Sequence, residues 1–193
     1  MSILPVLAVV APLVAALVVG ACGWRRTGAA VSVAAPLVVL GCGLGLCGPA
    51  TGHVVRSGPL RVDALAAVML LVIGAVGALA AAASVGYLRR EHAADRADAR
   101  RCRRYGVLLD LFIAAMTVAV LADNLGVMWV AVEATTVVTA FLVGHRDTRA
   151  ALEATWKYVV ICSVGLTLAF LGTVLLYVAS THAGPGHDAL GYE

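Results

Sequence analysis

Two ionisable residues stand where so apolar a chain has little reason to put them. Glu133 lies inside WVAVEATTVVTAFLVG, residues 129–144, and Lys157 inside ALEATWKYVVICSVG, residues 151–165. A charged group at the centre of a membrane-spanning helix costs roughly 2.5–3.5 kcal/mol on insertion scales. Such groups face the interior of a helix bundle and mark ion or proton paths. A carboxyl and an amine at similar depth form a pair on which a proton can be held or released. Of the 14 basic residues only Lys157 is a lysine. Arginine serves where permanent charge suffices, and lysine where a group deprotonates. Glu153 precedes Lys157 by one helical turn on the same face and is its alternative partner. A buried ion pair that only fixes helix register is the competing reading. Asp110 is a further relay candidate, about one and a half turns into its apolar segment. Asp123 and Asp147 fall at helix ends and read as solvated, and Asp63 suits the positive end of a helix dipole.

The elements that must position these groups are membrane helices. The chain has 193 residues, 62% of them hydrophobic and only 13% charged. Soluble domains carry about 25% charged residues. Apolar runs of about 18 or more residues recur, the length that crosses a bilayer core as helix. They lack the two-residue alternation of barrel strands. The fold class is therefore an all-α membrane protein, a bundle of about six transmembrane helices. The expected spans are 3–23, 29–46, 62–88, 105–122, 125–144 and 151–180. The first has no basic residue before it and reads as a retained helix rather than a cleaved signal. Residues 1–104 form helices one to three with a basic loop over 89–104. Residues 105–180 form helices four to six, and 181–193 a flexible polar tail.

Spacing then locates the two charges. The fourth and fifth spans are joined only by residues 122–125, which forces an antiparallel pair. Glu133 is about 13 Å from Asn124 along the axis and about 16 Å from Gly144, near mid-membrane. Lys157 is about 9 Å inside the start of the sixth span, so the two groups are expected within about two turns of equal depth. Gly41 and Gly45, and Gly74 with Ala78, make small-residue stripes that let helices approach closely. Arginines cluster in alternate loops, around Arg25, over 89–104, and at Arg146 and Arg149; the opposite side carries Arg56 and Arg61. That asymmetry predicts a plasma-membrane protein with the richer side in the cytoplasm and both termini outside.

Other chemistries are not indicated. The sequence has no phosphate loop, no dinucleotide fingerprint, no zinc-protease motif and no apparent catalytic triad. The five cysteines form no CxxC and read as packing residues. His182, His187 and Asp188 in the tail offer metal-ligand types without a framework to fix them. Neither a catalytic site, a cofactor nor a metal is expected on this chain. The expected partner is the lipid bilayer, and nucleic acid is not, because the basic residues sit in loops.

The runs LADNLGVMWVAVEATTVVTAFLVG and ALEATWKYVVICSVGLTLAFLGTVLLY, with GPLRVDALAAVMLLVIGAVGALAAAASVGYL over 58–88, resemble a known family. It is the hydrogenase-4 component F branch of the antiporter-like membrane subunits, whose relatives belong to NADH:quinone oxidoreductase and Mrp-type antiporters. The resemblance covers about the last two thirds of the chain; the first two spans match in hydropathy alone. It implies a proton-translocating subunit of a hydrogenase-4-like or NADH:quinone oxidoreductase-like complex. Redox cofactors would reside in partner subunits, and other membrane subunits would be partners. The family's fifth-helix glutamate falls on Glu133 and its lysine in a WKY context on Lys157. The family's next lysine, on a broken seventh helix, has no counterpart in these residues. A non-conducting structural module, or a truncated remnant, is the alternative.

Overall fold

In a computed structural model, described over residues 3–24, 26–50, 54–93, 99–146 and 148–182, the chain is a six-helix bundle with one small hairpin. The helices are α1 Ile3–Cys22, α2 Arg26–Ala50, α3 Ala64–Ala93, α4 Ala99–Leu121, α5 Leu125–Val143 and α6 Arg149–His182. All six are long and apolar enough to cross a membrane. Pro12 lies inside α1, which membrane helices tolerate because neighbours re-satisfy the freed carbonyl. A 3-10 turn, Gly144–Arg146, leaves α5.

The helices depart from the expected spans mainly at the basic end. α3 runs on to Ala93 and α4 already begins at Ala99. Most of the expected 89–104 loop is therefore helix, with Arg89 and Arg90 on the last turns of α3 and Arg100, Arg101, Arg103 and Arg104 on the first turns of α4. Arginine is a good helix former, so nothing in those residues stops either helix. Of the tail, residues 183–193, including His187 and Asp188, lie outside the described residues.

The hairpin was not anticipated. β1 Val55–Ser57 pairs antiparallel with β2 Leu60–Val62, with Arg56 opposite Arg61. Gly58 turns the chain with a left-handed φ of 61°, which a residue without Cβ adopts at no steric cost. The hairpin clamps the α4–α5 connection. Leu60 bridges to Ala122, the Asp123 amide donates to the Pro59 carbonyl over 3.2 Å, and Arg61 lies 3.9 Å from the Asp123 carboxylate. Asn124 then caps α5, its Oδ1 accepting from the amides of Gly126 and Val127. This capping satisfies amides that the first turn leaves free.

Packing divides the molecule. In the apolar stretches of α1 to α4, 33–39% of residues are buried, against 11% in α5 and none in α6. The core is formed by Ala8, Val39, Leu46, Leu70, Ala81, Ile113 and Leu121. A close seam joins α2 and α3. A Cβ at Gly74 would lie 2.5 Å from the Leu40 backbone nitrogen, and one at Gly43 would lie 3.0 Å from Leu71. The expected stripe of Gly41 and Gly45 is not this seam. Gly41 meets nothing within 4 Å, and Gly45 approaches only Leu4. Gly43, on another face of the same helix, makes the contact.

Candidate functional site

The arm of α5 and α6 is set by two contacts that fix its register. The Trp129 and Phe170 rings lie 4.8 Å apart between centroids. At the other end, a Cβ on Gly144 would be 2.8 Å from the Thr155 hydroxyl. Both are satisfied by one antiparallel alignment, in which Leu166 stands level with Glu133. Trp129, Glu133, Ala140 and Gly144 recur at helical spacing, so Glu133 lies on the α5 stripe that faces α6. It is half-buried. Among the described residues no hydrogen bond or ion pair is found for its carboxylate.

Lys157 lies elsewhere. The half-buried residues of α6 are Ala151, Thr155, Tyr158, Val159, Cys162, Leu166 and Thr173, the stripe turned to α5. Lys157 and Glu153 are off that stripe and exposed, with side chains 70% and 67% accessible. The Lys157 amine donates to the Glu153 carboxylate over 2.5 Å, one turn apart on α6. Lys157 is level with Leu142, about 13 Å along the axis from Glu133 at 1.5 Å per residue. The expected Glu133–Lys157 pair is therefore not formed. The sequence estimate measured both depths from assumed helix ends. The side-chain contacts set the register instead, and the helical turn sends Lys157 to the outer face.

Among the described residues Asp110 is the fully buried carboxylate, 0% exposed. It sits at the midpoint of α4, deeper than its place in the expected span implied, because α4 starts six residues earlier. Ser32 on α2 donates to its Oδ2 over 2.6 Å. Its Oδ1 is buried without a hydrogen-bond partner among the described residues. Nearby, the Ser84 hydroxyl lies 2.7 Å from the Ala80 carbonyl and 3.0 Å from the Tyr105 hydroxyl. The Tyr105 ring is edge-on to His145, 5.2 Å between centroids. The Nδ1 of His145 lies 2.9 Å from the Leu142 carbonyl oxygen, and its Nε2 is buried without a partner among the described residues. Ser32, Ser84, Tyr105 and His145 were not singled out by sequence. Ser32 and Asp110 are 78 positions apart, and no local pattern links them.

Six apolar helices around buried carboxyl and hydroxyl groups define a multi-pass helical membrane protein. Its relatives narrow the class. Over 119 residues the chain is 33% identical to a hydrogenase-4 component F homolog of Methylacidiphilum infernorum (isolate V4), a match covering 62% of this chain and 25% of that one. The match thus spans about a quarter of the relative's length. The fold superposes with a TM-score of 0.74 on a chain of the membrane-bound sulfane sulfur reductase, an archaeal respiratory membrane complex. That likeness covers 94% of this chain and 38% of the other, at 20% identity. No protein-family model matches. The first likeness agrees with the hydrogenase-4 component F branch that the sequence resembles, and the second shows a shared membrane fold.

Proposed function

We propose that the chain is a membrane subunit of a respiratory complex related to hydrogenase-4, and that it takes part in moving protons. The observation that carries this is Glu133, a carboxyl at mid-helix with no cation beside it among the described residues. It lies on the face of α5 turned to α6, in the segment that resembles the family most closely. An acid kept in the middle of an apolar helix has a cost that packing alone does not require. In this reading Glu133 takes up and releases a proton, and Asp110 is a second acid on the same chain.

Lys157 and Glu153 have a different place in the reading. An exposed ion pair would face hydrocarbon if α6 were the outer wall, and that is costly. The open face of α6 therefore packs against further membrane helices of the complex. There Lys157 acts on the partner side of α6 rather than directly on Glu133. The partners are other membrane subunits of a hydrogenase or NADH dehydrogenase type of complex, with redox cofactors outside this chain. The proposed setting is the plasma membrane, with the arginine-rich end in the cytoplasm.

The test is Glu133→Gln in the assembled complex. The account expects the variant chain to co-purify with its partners while substrate-driven proton translocation is lost. Unchanged translocation would remove Glu133 from the path. Loss of assembly would favour the reading of the chain as a structural module.

A further inference from the structure

The geometry points to a second proton-exchanging site at Asp110, supplied from the arginine-rich end of the bundle through the hydroxyls of Tyr105 and Ser84. It extends the proton reading to another group of the same chain, and it can be tested on the chain without partners.

Three observations carry the inference. The first is Asp110 itself. An ionised carboxylate buried away from water and cations is costly, and such a group takes a proton instead. One oxygen of Asp110 is occupied by Ser32 and the other, Oδ1, is open to a second donor or acceptor. The second is the register of α3 against α4. Gly77 against Ile113, Ser84 against Tyr105 and Leu88 against Cys102 agree on one antiparallel alignment. That alignment places Ala80 level with Asp110.

The third is the direction of the hydroxyls. Ser84 has one proton, and its hydroxyl donates it to the Ala80 carbonyl. The Tyr105 hydroxyl must then donate to the Ser84 oxygen, because a hydroxyl has a single donor. Both O–H bonds therefore point from the basic end toward the level of Asp110. At 1.5 Å per residue Ser84 stands about one helical turn from the level of Asp110, and the proposed path places one bridging water in that gap. At the entrance, His145 packs against Tyr105, and the Tyr87 ring lies 6.4 Å from it. Among the described residues the titratable groups packed about Tyr105 are His145, Tyr87 and Cys102. With Nδ1–H directed at the Leu142 carbonyl, His145 presents Nε2 as a proton acceptor.

The relay moves one proton and no electrons. Tyr105 gives its proton to the Ser84 oxygen as Ser84 passes its own toward Asp110 Oδ1. Water at the arginine-rich end supplies the proton that restores the half-buried Tyr105 hydroxyl. The reverse sequence empties the acid.

The experiment uses the full chain in liposomes. Infrared spectra identify the carboxylic-acid C=O stretch of Asp110 as the band lost in Asp110→Asn. The rate at which that band shifts after transfer to D2O reports proton exchange. The inference expects a band in the unmodified chain, and exchange slowed about tenfold in Tyr105→Phe and in Ser84→Ala, equivalent to about 1.4 kcal/mol in barrier. Tyr105→Phe keeps the ring against His145 and Tyr87, so packing is preserved. Absence of the band, or exchange at the unmodified rate in both variants, overturns the inference. Either result leaves the translocation test on Glu133 untouched, because this readout involves no partner and no turnover.

Discussion

The bundle of α1 to α4 and the arm of α5 and α6 are equally apolar in sequence but opposite in what they do with that surface. The first four helices bury a third or more of their apolar stretches against one another, and α6 buries none. In the bundle, a carboxyl at mid-helix is enclosed and hydrogen-bonded to a serine two helices away. In the arm, a carboxyl at mid-helix lies on a two-helix seam, and an ion pair faces outward. The contrast shows that a charge inside an apolar helix is not one kind of feature. Enclosure fixes the surroundings of Asp110 within this chain, whereas Glu133 is half-buried on the seam of α5 and α6 and Lys157 lies on the exposed face of α6.

Substitutions can break or sharpen that contrast. The largest expected effect is in the bundle core. Leu70 is fully buried, and Leu70→Ala should cost about 2–5 kcal/mol through lost contacts and a residual cavity. Thermal unfolding of the detergent-solubilised chain measures it. Next, Gly74→Val would drive a side chain into the Leu40 backbone and should cost about 1–3 kcal/mol or more. The same substitution at Gly41, which meets nothing within 4 Å, should be far milder in the same assay. A smaller loss is expected from Ser32→Ala. It removes the hydrogen bond that Ser32 donates to the Asp110 carboxylate and should cost about 1 kcal/mol, with the folded bundle retained. The smallest effect belongs to the arm. Leu168 is 65% exposed, and Leu168→Ala in the isolated chain should change stability by less than about 0.5 kcal/mol. Equal losses for Leu70→Ala and Leu168→Ala would erase the distinction between bundle and arm.

Much of this architecture was legible in the sequence. Uninterrupted apolar length gave six helices and their order, because a bilayer demands it. Glu133 stood out for the same reason, as a charge where length and hydropathy forbid one. What could not be read was register. Depth counted from assumed helix ends put Lys157 beside Glu133. Trp129 on Phe170 and Gly144 on Thr155 set a different alignment, and only side-chain contact decides between them. Asp110 reads as lying near a helix end when α4 starts at residue 105, and the observed start at Ala99 puts it at the midpoint. Its serine partner and the Ser84–Tyr105 pair depend on helices that meet only in three dimensions. The hairpin escaped notice because its two strands are three residues each, too short to show a two-residue period beside long helices.

The central claim is that Glu133 carries a proton in the assembled complex, and proton flux tests it most directly. Inverted membrane vesicles holding the complex would be energised with its substrate, and acidification followed for the unmodified chain, Glu133→Gln and Glu133→Asp. The account predicts no acidification with glutamine and partial recovery with aspartate, while all three chains remain in the complex. Full acidification with glutamine at position 133 would contradict it.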